Sequence, residues 1–273
     1  MSLIFSGIAP HGSSIIEEIS GNEKDMFKPT RSAMVELGKR LKKNNIETIV
    51  IITPHGLKLK GYNAVYISEN CGGSLTEFGN TISMELKCDV EIANGILKEA
   101  RQSKIPCIGA NYGTSSGPES KMPMDWGIMI PLWFLGGNDE SKPQIVVITP
   151  SRDIPLDDLV SLGKIIATVC QKSDKKIALI ASADQAHAHS KDGIYGFNPA
   201  AKEYDEKIIS YLKEDRLDKL LKMDMNFIED AKPDSLWQML ILYGALQVVP
   251  MAGEVLSYQV PTYFGMLVAS FQK

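Results

Sequence analysis

The chain has four histidines, and each follows a run of β-branched and aliphatic residues. Leu3–Ala9 leads into Pro10-His11-Gly12, residues 48–53 into Pro54-His55-Gly56, and residues 176–182 into Asp184, His187 and His189 within SADQAHAH. Proline fixes the approach of the chain, and glycine lets a ligand come close with no Cβ in the way. Two imidazoles delivered in this way form a metal-binding pair, because neutral imidazole suits Fe, Zn, Cu and Ni. A carboxylate as third ligand makes a facial triad with open positions, the arrangement of Fe(II) oxygenases. A thiolate or a third histidine favours zinc. His187 or His189 is either that third ligand or an acid/base beside the metal.

Such side chains need a scaffold that brings strand ends together. The runs at Leu3–Ala9, 48–53, 64–68, Gln144–Thr149 and 176–182 are short and almost continuously apolar, as parallel strands covered on both faces require. Residues 30–45, Leu156–Gln171, 201–214 and 233–248 show helical spacing; in the first, Met34, Leu37 and Leu41 share a face. Alternating strands and helices predict an α/β fold, a single domain over residues 1–273 with a mostly parallel central sheet flanked by helices on both faces. Residues 257–271 read as one or two closing strands. Ligands bind beyond the carboxyl ends of strands in such sheets, where all four histidines fall. The glycine-rich stretches 69–79 and 113–117 read as loops, and the second lacks the Lys-Ser/Thr of a phosphate cradle.

Composition narrows the functions. With 44% apolar and 23% charged residues the chain is an ordinary globular one. A net charge of −4 without a basic block argues against nucleic acid as a partner, and no apolar run is long enough for a membrane span. Four scattered cysteines with no CxxC pair read as reduced thiols, which predicts a cytoplasmic protein.

The pieces APHG with His11, ITPHG with His55, DWGIMIPL at 125–132, SADQAHAH at 182–189, DSLWQMLILYGAL at 234–246 and YQVPTYFGM at 258–266 occur in this order along almost the whole chain. Together they resemble the class III extradiol dioxygenases of the protocatechuate 4,5-dioxygenase β-subunit type, a superfamily that also contains the Memo proteins. The resemblance implies Fe(II), with Zn(II) as the alternative, held by His11, His55 and a carboxylate near the start of the helix at 233–248. Asp234 falls at that place, with Asp230 and Glu229 in reserve. It implies His187 as the acid/base acting on a substrate hydroxyl, and His189, Asp125 and Trp126 as substrate-binding residues. Trp126 stands where many members carry a histidine, and an indole cannot shuttle a proton.

The implied partners are a small aromatic substrate of catechol or aminophenol type and O2. A homodimer is expected, and a small second chain, which some relatives need, stays open. Two further readings stand beside ring cleavage: a Memo-like metal-binding protein without that activity, and a zinc-dependent hydrolase.

Overall fold

The computed structural model describes residues 2–273. In chain order its elements are β1 (Leu3–Ala9), α1 (Lys28–Lys43), β2 (Thr48–Ile52), β3 (Asn63–Tyr66), β4 (Asn70–Glu77), β5 (Asn80–Lys87), α2 (Val90–Gln102), β6 (Cys107–Ala110), β7 (Lys121–Pro123), α3 (Trp126–Phe134), β8 (Gln144–Thr149), α4 (Leu156–Gln171), β9 (Ile177–Ser182), α5 (Ala200–Lys213), α6 (Met225–Ala231), α7 (Leu236–Val248), β10 (Ala252–Gln259) and β11 (Met266–Gln272). Eight strands form one sheet in the order β10-β11-β1-β9-β2-β8-β3-β6. The central strands β1, β9, β2 and β8 run parallel. β3 opposes β8, while β11 opposes β1 and β10 opposes β11.

The period of two along a strand divides the core. Val50 and Ile52 of β2 join the layer under α2, α4, α5 and α7, while Ile49 and Ile51 join the layer under α1 and α3. α7 is apolar nearly all round and its residues are mostly buried, as expected of a helix inside the protein. It lies backbone to backbone on α4: a Cβ at Gly163 would stand 1.9 Å from the Ile241 carbonyl oxygen, and one at Gly244 2.0 Å from that of Val160. This contact fixes the start of α7, and the residues just before it, over the end of β9.

The stretch at 69–79, expected to be a loop, forms β4 of a hairpin with β5, and β7 completes a small three-stranded sheet. Asn70, Gly72, Gly73 and Ser74 have poor strand propensity. The strand exists because β5 buries alternate residues and because hydroxyl pairs cross the exposed face, Ser74 to Ser83 at 2.8 Å and Thr76 to Thr81 at 2.9 Å. The turn at Phe78-Gly79 has positive φ at both residues, as a two-residue hairpin loop requires. No helix among the described residues is long and apolar enough to cross a membrane.

Candidate metal centre

β1 and β2 are not neighbours, because β9 lies between them. Two strands separated by a third stand about 9.6 Å apart. The Pro-His-Gly turns nevertheless lean inward over the end of β9, so that His11 Nε2 and His55 Nε2 are 3.1 Å apart with their rings edge to face. From the turn before α7, Asp234 brings Oδ2 to 3.3 Å from His11 Nε2 and 3.7 Å from His55 Nε2. A metal with ligand bonds of about 2.1 Å needs donors separated by about 3.0 Å at right angles or about 3.4 Å in a tetrahedron. Two of the three separations fall in that range and the third, Asp234 to His55, is 0.3 Å wider, so His11, His55 and Asp234 fit a cation bound on one face after a small shift of one side chain.

Hydrogen bonds set the tautomer of His11. Ser182 Oγ donates its only proton to the Gly127 carbonyl at 2.6 Å. It can therefore only accept from His11 Nδ1, 3.0 Å away. Nδ1 carries the hydrogen, and Nε2 is left with the lone pair that a metal uses. Asp184 completes the frame. Its Oδ1 accepts the His11 backbone N–H at 3.0 Å, its own N–H donates to Asp234 Oδ1 at 3.1 Å, and its Oδ2 lies 3.3 Å from His11 Nε2. Sequence reasoning placed Asp184 at a strand end without a role and missed Ser182 altogether. The signal for both was their position at the end of an apolar strand.

The electrostatics follow from this packing. Burial disfavours charge on His11, but Asp184 and then Asp234 outweigh it and hold the pKa up to about 9. Burial, reinforced by the His11 charge, pushes His55 down to about 3. Burial also raises the Asp184 carboxyl, whereas for Asp234 the charge of His11 overcomes burial and lowers it. The imidazole pair thus takes one proton between two carboxylates, a place where a divalent cation is better matched than a proton.

These groups line a cavity of about 490 Å³. His187 lines it too, on the loop after β9. Its Nδ1 lies 3.0 Å from the Lys232 carbonyl, which can only accept, so Nδ1 carries the hydrogen and Nε2 is free to act as a base. Phe264 stacks on the ring at 5.3 Å and Tyr195 meets it edge-on. Trp126 is 45% exposed on the cavity wall, its ring 4.4 Å from that of His55.

The remaining expected residues lie elsewhere. Residues 186–189 form no strand, so His189 does not share a face with His187. Its Nε2 bonds Asp205 Oδ2 at 2.8 Å, and it does not line the cavity. Asp125 also stays outside, since its short side chain caps α3 by accepting from the Ile128 N–H. Glu229 reaches the cavity rim but is bonded to Lys232, and Asp230 is exposed on α6; neither joins the donor cluster. The stretch at 113–117 is a loop away from the cavity, and it is β4 that contributes Leu75 and Glu77 to the wall.

A family model described as the catalytic LigB subunit of aromatic ring-opening dioxygenase matches residues 7–269. Protein CA_C1420 of Clostridium acetobutylicum is 26% identical over 260 residues, 95% of this chain. The chain spans about half the length of that relative, 55%. Among solved structures, the uncharacterized protein JW3007 from Escherichia coli K12 has the same fold, with a TM-score of 0.61 at 14% identity over 98% of this chain and 99% of that one. The sequence match runs through every strand end that carries a cavity residue, and on it the chain belongs to the family of catalytic LigB subunits of aromatic ring-opening dioxygenases.

Proposed function

We propose that the protein is a non-haem Fe(II)-dependent extradiol dioxygenase that opens a catechol-type or aminophenol-type ring with O2. The observation that carries this reading is the placement of His11, His55 and Asp234 on one face of a cavity whose wall also holds His187 with a free Nε2. Fe(II) held by the three donors would supply a redox centre for O2 and polarise the hydroxyls of the ring. Zn(II) fits the same donors by distance, but it has no redox chemistry and would serve only hydrolysis.

The residues of the chain do the rest. His187 Nε2 takes a proton from a ring hydroxyl and later returns it, its orientation set by the Lys232 carbonyl. Phe264 and Tyr263 wall the slot with aromatic faces, which favours a flat substrate and keeps water out. One observation favours the second reading, a Memo-like metal-binding protein without ring cleavage. Trp126 lies against His55 and can offer an indole face and one N–H but no proton shuttle.

Anaerobic loading with Fe(II), followed by catechols and 2-aminophenol in air, separates the two. Yellow ring-fission product appearing together with oxygen uptake is the expected result. Bound iron with no turnover across the panel would overturn the dioxygenase reading in favour of the Memo-like one.

A further inference from the structure

We propose that Tyr204 is a positioning residue for the third metal donor: its hydroxyl grips Ser235 and so fixes Asp234, the residue just before it. The inference rests on the metal centre described above but not on the reaction run there, so it is tested without substrate.

Asp234 sits on a short connection. α6 ends at Ala231, Lys232 takes the left-handed conformation (φ 56°), and α7 begins at Leu236. Pro233 has no N–H with which to anchor this turn. Ser235 stands where serine ordinarily caps a helix by accepting from N–H groups of the first turn. It makes no such bond. Its backbone is already helical (φ −80°, ψ −29°), and its hydroxyl instead meets the Tyr204 hydroxyl of α5 at 2.8 Å. Both residues are fully buried, and among the described residues neither hydroxyl has another partner. Each would be a costly unpaired group without the other, so the bond ties the start of α7 to α5. Phe227 of α6, its ring 6.4 Å from that of Tyr204, helps to fix the direction of the phenol.

The two restraints on Asp234 are complementary. The Asp184 N–H, 3.1 Å from Oδ1, limits rotation of the carboxylate, while the hydroxyl pair limits where the backbone that carries it can go. The second restraint matters because Oδ2 is already 3.7 Å from His55 Nε2, and further drift of the turn would take the oxygen out of reach. The same turn of α5 also serves the other half of the site. Successive helix residues point about 100° apart, so neighbours reach different segments. Tyr204 reaches the segment that carries Asp234, and Asp205 accepts the Ala186 N–H at 2.9 Å in the segment that carries His187. One buried turn thereby sets the third donor and the acid/base relative to each other.

The test is Fe(II) affinity, measured by anaerobic competition with a chromophoric chelator for wild type, Tyr204→Phe, Ser235→Ala and the double variant. Urea unfolding of the metal-free proteins runs beside it. Phenylalanine keeps the ring and its packing and removes only the hydroxyl. Tyr204→Phe should weaken Fe(II) binding about 10-fold, the lower end of the loss when an outer partner of a metal ligand is removed, because Tyr204 acts through a neighbour. Ser235→Ala should do the same, and the double variant should lose no more than either single one, since all three lack the same bond. Affinities within about threefold of wild type in the folded variants, whatever stability they lose, overturn the positioning role. A double variant whose loss is the product of the two single losses overturns it as well. Wild-type protein that binds no Fe(II) refutes the metal centre itself, a failure that the wild type alone reveals.

Discussion

Replacing Ser182 by Ala tests whether the tautomer of His11 is set in the way the hydrogen bonds imply. Ser182 is fully buried, and its hydroxyl accepts from His11 Nδ1–H and donates to the Gly127 carbonyl. Alanine removes both bonds and leaves a donor and an acceptor unpaired beside an imidazole that is 2% exposed. Each unpaired buried group costs about 1–3 kcal/mol, so the metal-free protein should lose about 2–4 kcal/mol of stability, allowing for partial relaxation. Metal affinity should fall separately. Without the acceptor at Nδ1 the hydrogen can move to Nε2 and block the donor nitrogen. Losing a partner of this kind weakens metal binding about 10- to 100-fold. Urea unfolding without metal measures the first effect, and competition with a chromophoric chelator measures the second. Ser182→Thr, which keeps the hydroxyl, should restore most of the affinity. Metal affinity of Ser182→Ala within about threefold of wild type, beside a full loss of stability, would show that the hydroxyl supports the fold and not the ligand.

Three further outcomes are expected. His187→Ala should keep the bound metal and lose about 10²- to 10⁴-fold in turnover, checked by metal analysis beside the ring-fission assay; equal loss of metal would mean that His187 is a ligand. Asp205→Asn should lower kcat with little change in metal content. Asp205 receives the Ala186 N–H, His189 Nε2 and the Tyr258 hydroxyl and so clamps the loop that carries His187. In the metal-free protein the two site histidines predict maximal stability near pH 6.5. The His11 contribution is complete below its unfolded pKa of about 6.5 and is lost as pH rises through about 9. His55, held near 3, withholds a proton that the unfolded chain binds, and so costs stability as pH falls below 6.5. Each limb has a limiting slope of about 1.4 kcal/mol per pH unit, measurable by thermal unfolding in the presence of a chelator. A stability that rises steadily from pH 6.5 to 9 would contradict the assigned proton.

What the sequence made legible was set by burial. β1, β2 and β9 are covered on both faces, and their unbroken apolar runs show this. Their ends located His11, His55 and His187. The hairpin of β4 and β5 could not be read in the same way, because β4 rests on glycine where the chain passes tightly: a Cβ at Gly73 would stand 2.1 Å from the Met124 carbonyl oxygen. Glycine there looks like a loop signal but answers a packing demand. The direction of His189 was equally hidden. It depends on residues 186–189 leaving the strand and on Asp205, sixteen residues on, being buried beside them.

The donor cluster also explains why a small polar residue closes β9. Ala9 and Ile52 pair with Ser182 and Ala181 on either side of that strand, so the two Pro-His-Gly turns rise from opposite flanks of its end. Side chains that start from strands about 9.6 Å apart meet only by leaning across whatever lies between. A large side chain at position 182 would fill the space the imidazoles need, and an apolar one of the right size would leave Nδ1–H of His11 unpaired. Serine meets both demands. The next residues then turn out of the sheet, where Asp184 pairs with Met266 at the start of β11 and presents its carboxylate to His11. A parallel sheet with a short residue at the end of its middle strand is therefore part of the metal chemistry, since it sets both the separation of the two nitrogens and the lone pair that His11 presents.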